Sequence, residues 1–409
     1  MQGRADSIPQ SDSLRSLFWI FFKIACTSFG GFMAMISVTE NVVVERKKLM
    51  SHHDMLDGIS LASILPGPVA VNLVVYVGYR LRGGLGALVS ACGAVLPSFF
   101  FILVLSLAYF RWGEVPAVNK LFMGFIPAVT AIIISAAWNM SRKSIVSWRE
   151  ALIAVSSAVA LLAIGGFYST LAIIGCAGLI GWFWFRGADE VGAKPARAGK
   201  GNPARKKSKK KSKKKFNVNA LFLGSAPLTT LPLWQVDPSI LLKIFVVFAS
   251  MSLMLFGGGY VFIPLIQEIV VNGHGWVTHQ EFIDAIAMGQ ITPGPILVSA
   301  AFIGLKVAGM AGAVVAIIGI YLPSALLMVG STHMLERIKR SLVIKAALRG
   351  VRPAVIGMIA AAAVTVGLTA PHHWVSVMIL VAALVALMRL RIDVVWVIPT
   401  SGLVGLMLF

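Results

Sequence analysis

The chain has 409 residues, of which 58% are hydrophobic and only 13% are charged. Soluble domains usually have about a quarter of their residues charged, so this composition excludes an ordinary soluble globular protein. The formal net charge is +20, but much of the excess lies in one polar stretch, residues 186–215. That stretch has no aromatic residue to stack on bases, which argues against a nucleic-acid-binding protein.

Apolar runs of about 20 residues, the length that crosses a bilayer as an α-helix, recur along the chain. They cover residues 17–38, 59–79, 85–110, 121–138, 241–271 and 308–329. The first run is too long for a cleavable signal peptide and has no small-residue cleavage site. The sequence therefore predicts an all-α polytopic membrane protein with about 10–13 transmembrane segments.

The second apolar run contains Pro66, Gly67 and Pro68. Each proline lacks an amide hydrogen and disfavours helical geometry in the preceding residue, and glycine lets the backbone leave the helix. The helix is therefore expected to end near Leu65 and to restart near Pro68. The restarted helix would present unpaired N–H groups and a positive dipole end, which favour an anion without any charged side chain.

The second half of the chain repeats this pattern at Pro293, Gly294 and Pro295, and the motif at Phe29 recurs at Phe256 with the same separation. The loop ERKKLMSHH (45–53) is basic, whereas its counterpart NGHGWVTHQ (272–280) has no Lys or Arg. The loops between the third and fourth helices show the opposite bias. Because basic loops prefer the cytoplasm, equivalent loops prefer opposite sides, which predicts two homologous halves related as an inverted repeat with broken helices.

Four regions follow from this pattern. They are a cytoplasmic N-terminal tail (1–16), a first membrane domain (17–186), a Lys-rich cytoplasmic linker (187–236) and a second membrane domain (237–409). The composition of the linker predicts disorder and attraction to anionic lipid, with no nucleic-acid partner. Two points stay open, namely whether 151–185 forms one span or two and whether 216–235 adds another.

Hydrogen-bonding side chains beside the two breaks complete a candidate oxyanion site. The candidate substrate-binding residues are Ser63, Pro66, Gly67, Pro68, Asn72, Gln290, Thr292, Pro293, Gly294, Pro295 and Ser299. Gly30, Gly31, Gly257 and Gly258 join them, because these glycines would open the first helix of each half opposite the Pro-Gly-Pro break. For both motifs the alternative interpretation is a kink or small-residue stripe that serves only helix packing.

Two carboxylates, Asp57 and Asp284, occupy equivalent positions one turn inside the helices that precede the breaks. Each is either a partner of the helix dipole or a proton-coupling group. The capping-box patterns at Ser51 and Thr278 open the same two helices. Metal ligands at suitable spacing, a nucleophile–base pair and a Walker A motif are all absent from the sequence, so no cofactor, metal or enzymatic activity is expected.

At these residues the sequence resembles the chromate ion transporter (CHR) family. The resemblance rests on FGGFMAMI (29–36), LPGPVAVN (65–72), GYRLRGGLGA (78–87) and LPS (96–98), with the counterparts FGGGYVFIP (256–264), TPGP (292–295), GAVVAIIG (312–319) and LPS (322–324). It covers the chain outside the linker and is similar to the long, two-domain form of the family. It implies export of chromate across the bacterial cytoplasmic membrane, which gives chromate resistance.

The predicted function is therefore secondary transport of tetrahedral oxyanions, chromate first, with the oxyanion and the lipid bilayer as partners. A sulfate or molybdate carrier is the alternative within this class. An intramembrane enzyme or a lipid scramblase is the alternative from another class. The sequence leaves open the direction of transport, the coupling ion and the oligomeric state.

Overall fold

The structure is a computed structural model that describes residues 13–28, 32–112, 116–185, 237–256, 259–335, 341–371 and 373–409. These residues form fourteen α-helices and no strand. The helices are α1 (Leu14–Thr27), α2 (Phe32–Glu40), α3 (His52–Ile64), α4 (Val69–Trp112), α5 (Pro116–Ser144), α6 (Trp148–Ile164), α7 (Phe167–Phe185), α8 (Pro238–Met254), α9 (Phe262–Ile266), α10 (His279–Ile291), α11 (Ser299–Thr332), α12 (Leu342–Leu368), α13 (Trp374–Met388) and α14 (Val394–Leu408). The π-helical turns Asn41–Arg46 and Gln267–Gly273 extend α2 and α9, and the 3-10 turns Gly259–Val261 and Ile296–Val298 precede α9 and α11.

Five helical segments in the described residues are long and apolar enough to cross a membrane. They are Val69–Trp112, Lys120–Arg142, Tyr168–Phe185, Ile296–Thr332 and Leu342–Leu368. The chain is thus an all-α polytopic membrane protein, as the composition predicts. Residues 151–185 form two helices, α6 and α7; the linker and the 216–235 segment lie outside the described residues.

The two halves contain the same seven helices in the same order, α1–α7 and α8–α14. The predicted helix breaks are confirmed. Helix α3 ends at Ile64 and α4 begins at Val69, while α10 ends at Ile291 and helical structure resumes at Ile296. The caps also match, because the Ser51 hydroxyl accepts the Asp54 N–H at 3.1 Å and Thr278 forms a complete capping box with Glu281.

Each Pro-Gly-Pro break turns the chain back on itself and forms a helical hairpin. In PGP hairpin 1 (residues 52–82), Arg80 Nη2 lies 3.1 Å from Asp54 Oδ1 across the open end. In PGP hairpin 2 (residues 279–308), Lys306 forms the equivalent ion pair with Glu281. These pairs join the first turn of one arm to the last turn of the other, so the arms are antiparallel and the Pro-Gly-Pro segment is the tip. The sequence pattern indicated a break but not this reversal.

A second reversal follows each hairpin. Gly83 in α4 and Gly309 in α11 have φ values of +63° and +60°, a conformation that favours glycine. The kink packs Gly78 against Gly86, since a β-carbon on Gly78 would lie 2.4 Å from the Gly86 carbonyl oxygen. The rest of α4 and α11 then runs the length of the bundle.

The last helices of the two halves are exchanged. Helix α5 of the first half packs on α13 and α14 of the second, and α12 of the second half packs on α6 and α7 of the first. Glycines make these contacts close: a β-carbon on Gly124 would lie 2.3 Å from the Ser401 carbonyl oxygen, and one on Gly350 would lie 2.0 Å from that of Ala177. Neither half is a self-contained bundle.

The equivalent helices α5 and α12 are antiparallel, as an inverted repeat requires. Thr130, near the middle of α5, lies beside Gly367 at the end of α12. Asn139, near the end of α5, shares a cavity with Arg352 in the first half of α12. One helix therefore ascends through the bundle where its counterpart descends.

The fold has two parts with different packing. We name α1–α4 and α8–α11 the hairpin body, and α5–α7 with α12–α14 the scaffold. Most described basic residues lie near one face of the molecule, which we name the basic face: Arg46, Lys47, Lys48, Arg80, Arg82, Arg142, Arg149, Lys345, Arg349, Arg352, Arg389 and Arg391. PGP hairpin 1 opens towards this face, and PGP hairpin 2 opens towards the opposite face.

Candidate functional site

The tip of PGP hairpin 1 is held against the second half of the chain. Gly67 has φ +112° and donates its N–H to the Leu255 carbonyl oxygen at 2.7 Å. A β-carbon on Gly67 would lie 2.2 Å from the Ser324 β-carbon. Only glycine satisfies both the backbone conformation and the approach of α11.

The tip of PGP hairpin 2 repeats these contacts with exchanged partners. Gly294 has φ +108° and donates its N–H to the Ser28 carbonyl oxygen at 3.0 Å. The Ser98 hydroxyl donates to the Pro293 carbonyl oxygen. Each tip therefore lies where the first helix of the other half ends, just before the Phe-Gly-Gly motif. Gly30, Gly31, Gly257 and Gly258 themselves lie outside the described residues.

The restarted helix at the first tip begins with amide groups that have no helical partner. The first N–H that bonds back into the helix is that of Asn72, to the Pro68 carbonyl oxygen at 2.9 Å. The amides of Val69, Ala70 and Val71 precede it, at the positive end of the helix dipole. At the second tip a 3-10 turn takes up one of the three expected donors, because Val298 N–H bonds to the Pro295 carbonyl oxygen at 3.2 Å.

One cavity reaches the first tip. Its volume is about 560 Å³, and it extends from Ser63 and Val69 at the tip to Ser144 and Asp393 at the basic face. Its wall combines the hairpin body with the scaffold, including Ile36, Ile59, Ser135, Asn139, Phe256 and Tyr260. We name it the central cavity.

One arginine, Arg352 of α12, lines the central cavity. Asp393 lies at its mouth, and the described residues offer no ion-pair partner to either side chain. The position equivalent to Arg352 in the first half is Ile126, which is 2% exposed. The sequence pattern does not indicate Arg352 as a site residue, because it lies far along the chain from both breaks and only the exchange of the scaffold helices brings it into a cavity that reaches the first tip.

The structure does not gather all the predicted binding residues around one cavity. Of the set, Ser63 lines the central cavity. Thr292 and Ser299 are buried at the second tip and bond to the carbonyl oxygens of Gly289 and Ile296. Asn72 donates to the Pro66 carbonyl oxygen at 3.2 Å and so braces the first tip. The other described members of the set do not line the central cavity.

Two amide side chains at the tips keep unused hydrogen-bonding atoms. Asn72 is fully buried and Gln290 is 5% exposed. Within the described residues, Asn72 Oδ1 and Gln290 Nε2 have no hydrogen-bond partner. Gln290 lies beside Tyr260, which lines the central cavity. Its amide group is therefore close to the cavity wall.

The two equivalent carboxylates have different surroundings. Asp284 is 1% exposed and accepts hydrogen bonds from Tyr109 Oη at 2.8 Å and Gln280 Nε2 at 3.0 Å. Both donors are neutral. Asp57 is partly exposed, and its Oδ2 lies 3.7 Å from His53 Nδ1. Of these two carboxylates, Asp284 is the buried one, and it contacts the other half of the protein through Tyr109.

The sequence profile of the chromate transporter family matches residues 15–182 and 242–406, one match in each half. These matches cover most of the described helices, including both hairpins. The chain belongs to the chromate transporter family. No solved structure matches it.

Curated relatives agree with this assignment. A chromate transport protein of Cupriavidus metallidurans is 31% identical over 86% of this chain and 82% of its own length. A probable chromate transport protein of Synechococcus elongatus is 30% identical over 92% of this chain and 91% of its own. The uncharacterized transporter YwrA of Bacillus subtilis is 29% identical over 37% of this chain but 85% of its own length. This last relative corresponds in size to one half of the repeat.

Proposed function

We propose that the protein is a secondary transporter that carries chromate, or another tetrahedral oxyanion, across the cytoplasmic membrane of a bacterium. The observation that carries the proposal is the central cavity, in which the unpaired start of α4 at Val69 and the guanidinium of Arg352 line one space. Backbone amides at a helix start and an arginine are the groups that proteins use to bind tetrahedral anions.

The balance of charge suits a substrate that has to leave again. A fixed cation at membrane depth costs about 2.5–3.5 kcal/mol on insertion scales, so a cluster of cations would be expensive as well as too tight for a dianion. One arginine, an uncharged helix start and the hydroxyl and amide groups of Ser63, Ser135 and Asn139 provide a weaker site. Weak binding by several neutral donors permits turnover.

The positive-inside rule supports placing the basic face in the cytoplasm. The central cavity would then face the cytoplasm and admit the anion from there. A membrane potential that is negative inside favours outward movement of an anion by about 2.3 kcal/mol per charge for each 100 mV, and so by twice that for a dianion. Export is therefore the direction that the cell's potential drives, and it would give chromate resistance.

Asp284 is the proposed coupling group if protons assist transport, because it is buried between neutral donors at the contact between the halves. Asp284→Asn should abolish any dependence of flux on an imposed pH gradient. Asp57→Asn, at the equivalent partly exposed position, should keep it. Identical pH dependence in both variants and the unchanged protein would remove Asp284 from this role.

The direct test is uptake of radiolabelled chromate into inverted membrane vesicles from cells that express the protein. We expect uptake above that of vesicles lacking it, stimulation by a potential positive inside the inverted vesicles, and competition by sulfate or molybdate according to their affinity. Sulfate uptake faster than chromate uptake would make the protein a sulfate carrier. Absence of flux with both anions would contradict oxyanion transport and return attention to an intramembrane enzyme or a lipid scramblase.

A further inference from the structure

The two PGP hairpins pack differently against the scaffold. In hairpin 2, α10 packs on α5 and α14 of the scaffold. In hairpin 1, the close packing of α3 within the described residues is on α4 and α11 of the hairpin body. The inverted repeat makes these two helices equivalent, so symmetry alone would give them the same neighbours. The central cavity occupies the space that the missing contact leaves on the basic face.

Equivalent residues of the two hairpins show the same asymmetry in their exposure. Ile59 and Ser63 are half-buried and line the central cavity. Their equivalents, Ile286 and Gln290, are 0% and 5% exposed. The residues equivalent to those that line the central cavity are therefore closely packed on the side of the opposite face.

A buried carboxylate joins the hairpin body to the scaffold on that closed side. Glu268, in the π-helical turn after α9, is 7% exposed. Its Oε2 accepts the N–H of Gly166 in the turn between α6 and α7, and its Oε1 accepts Asn272 Nδ2 at 3.2 Å. Hydrogen bonds to a charged acceptor are stronger than neutral ones, and burial shields this one from water.

A small cavity of about 210 Å³ lies beside Glu268. Thr365 and Ala361 of α12 line it, and these are the equivalents of Asn139 and Ser135 in the central cavity. Its lining within the described residues contains no Lys, Arg or His. The small cavity is therefore lined in part by the equivalents of residues that line the central cavity.

The corresponding contact on the basic face is absent among the described residues. The residue equivalent to Glu268 is Asn41, whose side-chain amide donates to Glu45 one turn further along the same helix. That hydrogen bond stays within the hairpin body. The link between hairpin body and scaffold is thus made on the closed side and not on the open side.

We propose that Glu268 is the latch of a second vestibule, which opens on the opposite face when the central cavity closes and gives the bound anion its other route. Two conformations related by the repeat symmetry explain why equivalent residues line an open space on one side and a closed one on the other. The inference rests on the proposed transport function. The test measures cysteine accessibility without any anion. The latch proposal can therefore fail while the transport function is confirmed, and the transport function can fail while the latch is confirmed.

The test uses cysteine labelling of purified protein in which Cys26, Cys92 and Cys176 are replaced by alanine. Ile59→Cys and Ile286→Cys are the matched reporters. A water-soluble maleimide should label position 59 quickly and position 286 slowly. Glu268→Ala should raise the labelling rate at position 286 at least about tenfold, which corresponds to about 1.4 kcal/mol in the opening equilibrium. Asn41→Ala, at the equivalent position, should leave that rate unchanged.

A second step tests whether the two openings exclude each other. In the variant with both cysteines and Glu268→Ala, position 59 is first blocked with a bulky maleimide that wedges the central cavity open. Labelling at position 286 should then return to its slow rate. Glu268→Gln, which keeps the side-chain shape but not the charge, should give a smaller acceleration and guards against loss of folding. An unchanged rate in folded Glu268→Ala, or fast labelling that persists behind the wedge, would overturn the proposal.

Discussion

Gly67 of the first half and Ser324 of the second half are packed so closely that a β-carbon on the glycine would lie 2.2 Å from that of the serine. Gly294 and Ser98 form the equivalent pair, with a β-carbon 2.1 Å from the Ser98 hydroxyl oxygen. Each hairpin tip thus uses a glycine to approach a long helix of the other half. The tips of the two PGP hairpins therefore connect the two halves, and they also precede the restarted helices α4 and α11.

Gly67→Ala and Gly294→Ala should therefore destabilise the protein. A left-handed backbone conformation costs an alanine about 1–2 kcal/mol, and overpacking a close contact costs about 1–3 kcal/mol more. The measurement is the thermal unfolding midpoint of detergent-purified protein. Gly84→Ala is the control, because no atom lies within 4 Å of its β-carbon position; equal midpoints for all three variants would contradict the packing role.

The Pro-Gly-Pro tips should differ in their contribution to binding. Replacing Pro66 and Pro68 by alanine removes their backbone constraint at the hairpin tip, so the first turn of α4 can extend backwards and take up the free amides of Val69, Ala70 and Val71. Equilibrium chromate binding should weaken at least about tenfold, or 1.4 kcal/mol. The Pro293/Pro295 double variant should bind better than this one, since its tip does not line the central cavity. The reverse order would place the anion at the second tip.

The basic face should be the cytoplasmic one. Single cysteines at Lys47 and Arg391 should react with a membrane-impermeant reagent only in inverted vesicles, and cysteines at Lys120 and His274 only in intact cells. All four side chains are exposed, so failure to react reports sidedness instead of burial. Labelling of positions 47 and 391 from outside intact cells would reverse the proposed orientation and with it the direction in which the central cavity faces.

Much of this architecture could be predicted from local sequence. Prolines and glycines at Pro66–Pro68 and Pro293–Pro295 disrupt a helix whatever surrounds them, and basic residues in opposite loops reveal the inversion. The chain reversal at each tip was not predictable in this way, because a Pro-Gly-Pro break is compatible with a kinked span. Only pairs distant in sequence, such as Asp54 with Arg80, distinguish a hairpin from a kink.

The exchange of the last helices also lay beyond the sequence pattern. Gly124 and Gly350 indicate close helix packing, but the sequence does not show which helix each one contacts, since any close helix pair favours small residues. The candidate site was incomplete for the same reason. The residues near the breaks include hydroxyl and amide groups. Arg352 lies elsewhere in the chain, and the exchange of helices brings it into the central cavity. In the sequence Arg352 ends the basic run 336–352, which the charge pattern assigns to a cytoplasmic loop.

Arg352 gives the sharpest test of the central cavity as the oxyanion site. Its guanidinium can donate two parallel hydrogen bonds to a tetrahedral anion. Charge-assisted hydrogen bonds contribute about 1.5–3 kcal/mol each. Glutamine keeps a neutral N–H donor, so Arg352→Gln should lose the equivalent of about one such bond and weaken equilibrium binding of chromate to purified protein by about ten- to a hundredfold. The affinity of Arg352→Lys for chromate should lie between those of the unchanged protein and Arg352→Gln, because lysine keeps the charge and loses the bidentate geometry.

Arg149→Gln is the matched control, because Arg149 is exposed on the same face and stacks near Trp148 outside the cavity. It removes one positive charge from the basic face without touching the proposed site. The binding affinity of Arg149→Gln should stay within about twofold of that of the unchanged protein. Any loss of long-range attraction should disappear in salt, which screens charges more than about 10 Å apart. If Arg352→Gln and Arg149→Gln weaken binding equally, and added salt abolishes both effects, then the anion does not contact Arg352. Arg352 then acts only through the overall electrostatic field of the protein. A selective loss at Arg352 that persists in salt places the oxyanion in contact with Arg352 in the central cavity.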